Sequence, residues 1–226
     1  MITIRRIRPL PKHAARLAQL LAGGNRRPSA TPRPRVYLAG PMVFAPEPEA
    51  IFARMKHICA SAGLEGVSPL DNQLGLEGAT PGHMLAERIV RADIALMHAL
   101  NGGLFCLDGI RRGAEMDAGT AFEVGYMAAL GKKLVGWTRD GRDYPQKVAD
   151  YFGGALQPAA ANAQGGMSGS RRDPDGLLVH SEGCVQNAMV HVGIELAGGT
   201  VCCDPNWEVA FTAAAEHLAR QFMGAG

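Results

Sequence analysis

The chain has 226 residues, 47% of them hydrophobic, 19% charged and 6% aromatic, which excludes wholesale disorder and suits one soluble α/β domain of about 200 residues plus an appendage. No apolar run approaches the roughly 20 residues of a bilayer-spanning helix, so an integral membrane protein is excluded. The net charge of +2 hides an asymmetry: nine of the 23 basic residues fall in residues 1–35, which hold no Asp or Glu, so residues 36–226 set 14 basic against 21 acidic side chains, about −7; the charge gives no support for a nucleic-acid-binding core, and any polyanion contact belongs to the N-terminal arm.

Residues 1–35 end in Arg27-Pro28-Ser29-Ala30-Thr31-Pro32-Arg33-Pro34-Arg35. The prolines cannot continue a helix and the segment has little to bury, so it reads as a basic, flexible N-terminal extension ahead of a domain spanning 36–226. Val36–Ala39 is a candidate buried strand ending at Gly40-Pro41. Ile51, Met55, Ile58, Cys59 and Ala62 then recur at helical spacing before the stop signal Gly63. Gly66–Leu70 reads as a second strand, Pro81–Arg91 as a helix and Asp93–Ala99 as a third strand, with Asp93 capping its start. Gly119–Leu130 is a helix closed by Gly131, and Lys133–Thr138 a fourth strand. Residues 154–182 lack periodicity and read as a loop insertion. After them, Val185, Met189, Val192 and Leu196 mark a helix face, Thr200–Cys203 a fifth strand, and Trp207, Ala210, Phe211, Ala214 and Leu218 a closing amphipathic helix. The alternation predicts a doubly wound parallel sheet of five strands in a single α/β domain. Cys59, Cys106, Cys184, Cys202 and Cys203 form no C-x-x-C pair and read as reduced residues, so the cytoplasm is expected.

In an open parallel sheet ligands bind at the carboxyl ends of the strands. The polar and turn residues just past the predicted strands are therefore the candidates: Tyr37 with Gly40 and Phe44, then Asp71 and Gln73, then Asp117 and Gly119 leading to Glu123, and last Asn187 and Met189. Asp117 and Glu123 are the sharpest pair. A helix N-terminus favours an ionised carboxylate, while a second carboxyl nearby tends to keep one partner protonated. Close carboxyls suit retaining chemistry at an anomeric carbon through a covalent ester, and a wider gap suits direct attack by water. Taken alone, the spacing also fits a helix cap followed by an exposed helix residue.

Read together, Val36-Tyr37-Leu38-Ala39-Gly40-Pro41, Pro69-Leu70-Asp71-Asn72-Gln73, Ala92-Asp93-Ile94, the run Asp117-x-Gly-Thr-Ala-Phe-Glu123-Val-Gly-Tyr126, and Asn187-x-Met189 resemble, in order and approximate spacing, the nucleoside 2-deoxyribosyltransferase family over roughly residues 36–196. The resemblance implies a flavodoxin-like (Rossmann-like) strand order. It implies Glu123 as the nucleophile at C1′ of a 2′-deoxynucleoside, Asp117 holding the sugar or protonating the departing base, and Tyr37 orienting Glu123. Gly40, Phe44, Asp71, Gln73, Gly119, Asn187 and Met189 would bind substrate, with Asn187 contributed by a neighbouring subunit of a homo-oligomer. The partners implied are a deoxynucleoside and a free nucleobase, in nucleoside salvage. No metal or redox cofactor is expected, and the chain carries no H-E-x-x-H, Walker P-loop or complete G-x-G-x-x-G.

One departure stands out. Many relatives place Asp or Asn on the helix before the third strand, eight residues ahead of the residue matching Asp93, and that position is Leu85. Two alternatives follow: an N-glycosidase that uses the same Glu123 with water as acceptor, and a nucleotide-sensing domain without turnover. The loop after the first strand, Gly40-Pro41-Met42-Val43-Phe44, offers no cation for a phosphate, which favours nucleosides over nucleotides unless Arg111, Arg112 or the N-terminal arginines reach the 5′ side.

Overall fold

The computed structural model describes residues 32–72, 81–154, 156–159, 170–180 and 182–224. Along the chain run β1 (Arg35–Ala39), a 3₁₀ turn (Pro41–Phe44), α1 (Pro48–Ser61), β2 (Glu65–Val67), a second 3₁₀ turn (Pro69–Asn72), α2 (His83–Ala99), β3 (Gly102–Cys106), α3 (Ala118–Ala129), β4 (Lys133–Thr138) and α4 (Tyr144–Tyr151). Three two-residue strands follow, β5 (Gln157–Pro158), β6 (Arg171–Arg172) and β7 (Leu178–Val179), then α5 (Ala188–Leu196), β8 (Val201–Cys203) and α6 (Trp207–Met223).

Five strands pair in parallel in the order β2-β1-β3-β4-β8. This is the flavodoxin-like doubly wound order, and its switch point lies between β1 and β3. The two-residue period of the strands divides the core. Val36, Leu38, Leu104 and Trp137 face α1 and α6, where Phe52, Met55, Phe211 and Leu218 meet them. Tyr37, Ala39, Phe105 and Leu107 face the opposite side, against Met97 of α2, Val124 and Met127 of α3 and Ile194 of α5. Tyr37 is thereby committed to the α2–α3–α5 side. Among the described residues, no helix is long and apolar enough to cross a membrane.

The third strand differs from expectation. Asp93–Ala99 is the last part of α2, and β3 begins at Gly102. A short apolar run is ambiguous between strand and helix, and the true strand opens with two glycines, which strands usually avoid. Here a glycine is required: a Cβ on Gly102 would lie 2.5 Å from the Lys133 carbonyl oxygen of the adjacent strand. Asp93 is therefore a helix residue and caps no strand. The second strand stops at Val67, and Pro69 starts a 3₁₀ turn in place of its predicted end. Part of the segment expected to be a loop insertion folds as the antiparallel sheet β5-β6-β7, which packs Val179 and Leu156 against Val148 of α4. The extension lies outside the described residues up to Thr31, as do residues 160–169.

Candidate active site

The site grows from the ends of β1 and β3 and the start of α3. Gly40 ends β1 with φ +155°, and a Cβ there would lie 2.6 Å from Cys106 Cβ. Only glycine permits this close turn, which carries Val43 and Phe44 over the carboxyl end of the sheet. Asp117 caps α3: its Oδ2 accepts from the Thr120 N–H at 2.8 Å and from Thr120 Oγ1 at 3.0 Å. The cap sets the phase of the helix. Thr120, Val124 and Met127 turn inward, and Glu123, six residues beyond the cap, lies beside them at the edge of a cavity of about 320 Å³.

Gly40, Val43, Phe44, Pro69, Leu70 and Ile89 give this cavity apolar surface, while Asn72, Asp93, Asp117, Thr120 and Glu123 supply its polar groups. Below it, the fully buried Tyr37 donates its hydroxyl to Glu123 Oε1 at 2.7 Å. Burial pushes the Glu123 carboxyl up from the usual 4.5 to about 7; the Tyr37 bond opposes this by favouring the ionised form, and the nearby charges of Asp93 and Asp117 add to the rise. Burial likewise lifts Asp93 to about 6. The Tyr37 phenol is pushed far above its ordinary range by burial and by the adjacent Glu123 and Asp93 charges, so it remains a hydrogen-bond donor. Three carboxyls thus border one small, partly desolvated space, two of them poised to exchange protons near neutrality.

Of the residues singled out from sequence, Glu123, Asp117, Gly40, Phe44 and Gly119 line the cavity and Tyr37 supports it. Asp71 does not line it. Its carboxylate accepts from the Ser68 N–H at 2.9 Å and pairs with Lys56 at 2.5 Å, holding the turn from which its neighbour Asn72 reaches the cavity. Gln73 lies outside the described residues. Asn187 caps α5 by accepting from the Met189 N–H at 3.0 Å, and the Met189 side chain is 84% exposed; neither reaches the cavity of its own chain. Asn72, Ile89, Ala92 and Asp93 went unassigned. The last three recur at i, i+3 and i+4, a helical signal hidden once Asp93 was read as the start of a strand. The same shift removes the departure at Leu85. Asp93 stands on the helix before β3, eight residues ahead of Asn101 at the foot of that strand, and Leu85 is not among the cavity's lining residues.

Residues 36–189 match the family model described as Nucleoside 2-deoxyribosyltransferase. The chain belongs to the nucleoside 2-deoxyribosyltransferase family. An uncharacterised protein of Schizosaccharomyces pombe is 47% identical over 198 residues, covering 85% of this chain and 92% of its own. A 2-desoxiribosyltransferase from Leishmania mexicana superposes with a TM-score of 0.56 at 26% identity, over 81% of this chain and 98% of that one. A conserved protein from Enterococcus faecalis V583 shares the fold, with a TM-score of 0.52 at 17% identity over 84% of this chain and 99% of that one. The five-stranded parallel sheet with flanking helices is thus the deoxyribosyltransferase fold, and the cavity lies within the part of the chain that the family model spans.

Proposed function

We propose that this member of the deoxyribosyltransferase family moves a 2-deoxyribosyl group between nucleobases, with Glu123 as the nucleophile. The observation that carries the reading is the placement of Glu123: desolvated at the cavity edge, bonded to Tyr37 at 2.7 Å, and flanked by Asp93 and Asp117. A carboxylate in such a place stabilises the oxocarbenium-like transition state and then traps C1′ as an ester. The bond from C1′ to the departing base nitrogen breaks as the bond to Glu123 Oε forms. The base leaves with a proton from Asp93, in the form of the singly protonated pair in which Glu123 is ionised; with Glu123 raised to about 7 and Asp93 to about 6, that form is the less populated of the two. An incoming base then attacks C1′ from the vacated side, returns its proton to Asp93 and frees Glu123, so the anomeric configuration is retained.

Asp117 and Thr120, already joined at the start of α3, border the cavity beside Glu123, and Leu70 and Ile89 offer apolar surface to the flat base. Asn187 and Met189, exposed at the start of α5, are assigned to the site of a neighbouring copy. With Asp93 on the cavity, the acceptor base has a polar partner that Leu85 would not have supplied. The role is nucleoside salvage, and the five unbridged cysteines fit a cytoplasmic setting.

Chromatography of products tests the reading. The purified protein is incubated with 2′-deoxyinosine, with and without adenine, beside Glu123→Ala. The expected result is new deoxyadenosine only when adenine and Glu123 are both present. Free base released at the same rate with or without an acceptor would replace transfer by hydrolysis, and turnover unaffected by Glu123→Ala would remove the nucleophile.

A further inference from the structure

The hairpin between β3 and the Asp117 cap carries two arginines in a backbone conformation that arginine seldom adopts. Gly109 and Met116 pair as an antiparallel bridge, the Ile110 N–H donates to the Glu115 carbonyl at 3.0 Å, and the Gly113 N–H donates to the Ile110 carbonyl at 2.9 Å. Arg111 and Arg112 are the two central residues of that turn, with φ of 53° and 63°. Positive φ at both centres is the mark of a type I′ turn, where Gly, Asn and Asp are the usual occupants. A Cβ on Gly109 would lie 2.1 Å from the Gly113 carbonyl oxygen, so the hairpin is closed tightly at its base. Local stability does not account for the arginines. Both are exposed, and among the described residues neither has an ion-pair partner.

The position of Arg111 gives a reason for it, whereas Arg112 borders a separate cavity with Asp140, Arg142, Lys147 and Asp150. The Arg111 guanidinium lies over the face of Phe44, 5.9 Å from the ring centroid, and Phe44 is a wall of the cavity that contains Glu123. With C1′ placed at Glu123, a 5′-phosphate directed toward Phe44 would come within reach of Arg111. A phosphate there would be repelled by Asp93, Asp117 and Glu123 unless a fixed cation offset them, and a guanidinium suits phosphate oxygens in geometry as well as charge. The loop after β1 supplies no such cation, but the hairpin after β3 does.

We propose that Arg111, steadied by Phe44, binds the 5′-phosphate of a 2′-deoxynucleoside 5′-monophosphate and so selects the phosphorylated form as substrate. This rests on the glycosyl-transfer reading of Glu123, and it replaces the sequence-based preference for unphosphorylated nucleosides.

The test compares kcat/KM for 2′-deoxyadenosine and its 5′-monophosphate in the full chain, in Arg111→Gln, and in the double variant Arg111→Asn with Arg112→Gly. The wild-type protein is expected to prefer the monophosphate at least tenfold, and the preference falls as salt is raised. Arg111→Gln cuts that ratio at least tenfold, chiefly through KM. The double variant loses the ratio too, yet melts a few degrees higher because its residues suit the turn, which separates lost recognition from lost folding. A wild-type preference for the nucleoside, or an equal loss on both substrates in Arg111→Gln, overturns the proposal. Calorimetry on Glu123→Gln separates the two readings: monophosphate-selective binding that disappears when Arg111→Gln is added upholds phosphate recognition even if transfer fails. Equal affinity for both ligands overturns it.

Discussion

At Glu123, poor solvation and the need for charge pull in opposite directions, and Tyr37 mediates between them. Replacing Tyr37 by Phe leaves the carboxylate without its donor. A hydrogen bond to a charged group contributes about 1.5–3 kcal/mol, so kcat/KM should fall roughly 10- to 100-fold. The rising limb of the pH profile, set in the wild type by Glu123 near pH 7, should move upward because a bond that favoured ionisation is gone. A profile that drops without moving would mean Tyr37 acts elsewhere. Glu123 also carries a stability cost. A carboxyl whose folded pKa exceeds its unfolded value holds its proton more tightly when folded, so stability falls as pH rises from about 4.5 to about 7. That interval corresponds to about 3 kcal/mol. Glu123→Gln should therefore melt several degrees higher than the wild type at pH 8 and close to it at pH 4.5. Equal melting curves at pH 8 would contradict the burial of an ionising group.

The elements bring residues distant in sequence onto one cavity, and α2 does so by its length. Because α2 runs on to Ala99, Ile89, Ala92 and Asp93 share one face beside Glu123. Asp93→Asn keeps the size and removes the proton. It should lower kcat by about 10² to 10⁴, most severely for bases that leave poorly without protonation. An equal loss across good and poor leaving bases would deny Asp93 that role. The legible parts of this fold were those with local signals: β1 and β4 as continuous apolar runs, α1, α3 and α6 by period and caps, while Glu123 and Asp117 stood out through the run Asp117 to Tyr126 that resembles the family. The rest depended on partners that a linear reading cannot supply. Gly102 is required by the Lys133 carbonyl of the adjacent strand and Gly103 by the Phe105 ring two residues on in the same strand. Pro69 begins a tight turn, and Asp71 proved to hold that turn through Lys56 and Ser68. The helix α4 spans only eight residues and buries Val148 beside Lys147, whose ammonium donates to the Val185 carbonyl at 2.7 Å, so a charged residue stands where an apolar one would have marked it.

Across the whole molecule, apolar surface remains uncovered in the single chain. The 17-residue helix α2 fully buries only Met97, leaving Met84 73% and Val90 51% exposed, and Met189 at the start of α5 is 84% exposed. Such surface beside the candidate cavity is what a second copy would cover. If Asn187 serves a neighbour's Glu123, two defective chains should complement each other. Glu123→Ala and Asn187→Ala, each with less than a few per cent of wild-type activity alone, should regain a substantial fraction when co-expressed, because mixed oligomers contain sites with both residues intact. Full activity of Asn187→Ala alone, or no recovery in the mixed oligomer, would place the site within one chain.

The covalent ester on Glu123 is the central claim, and peptide mass spectrometry after rapid acid quench tests it most directly. During turnover of a 2′-deoxynucleoside or its 5′-monophosphate, the peptide containing Glu123 should gain the mass of one deoxyribosyl group, or of its 5′-phosphate. The gain should vanish when excess acceptor base is added and should be absent from Glu123→Gln. An unmodified Glu123 peptide throughout active turnover, or the same adduct on another residue in Glu123→Gln, would contradict the account.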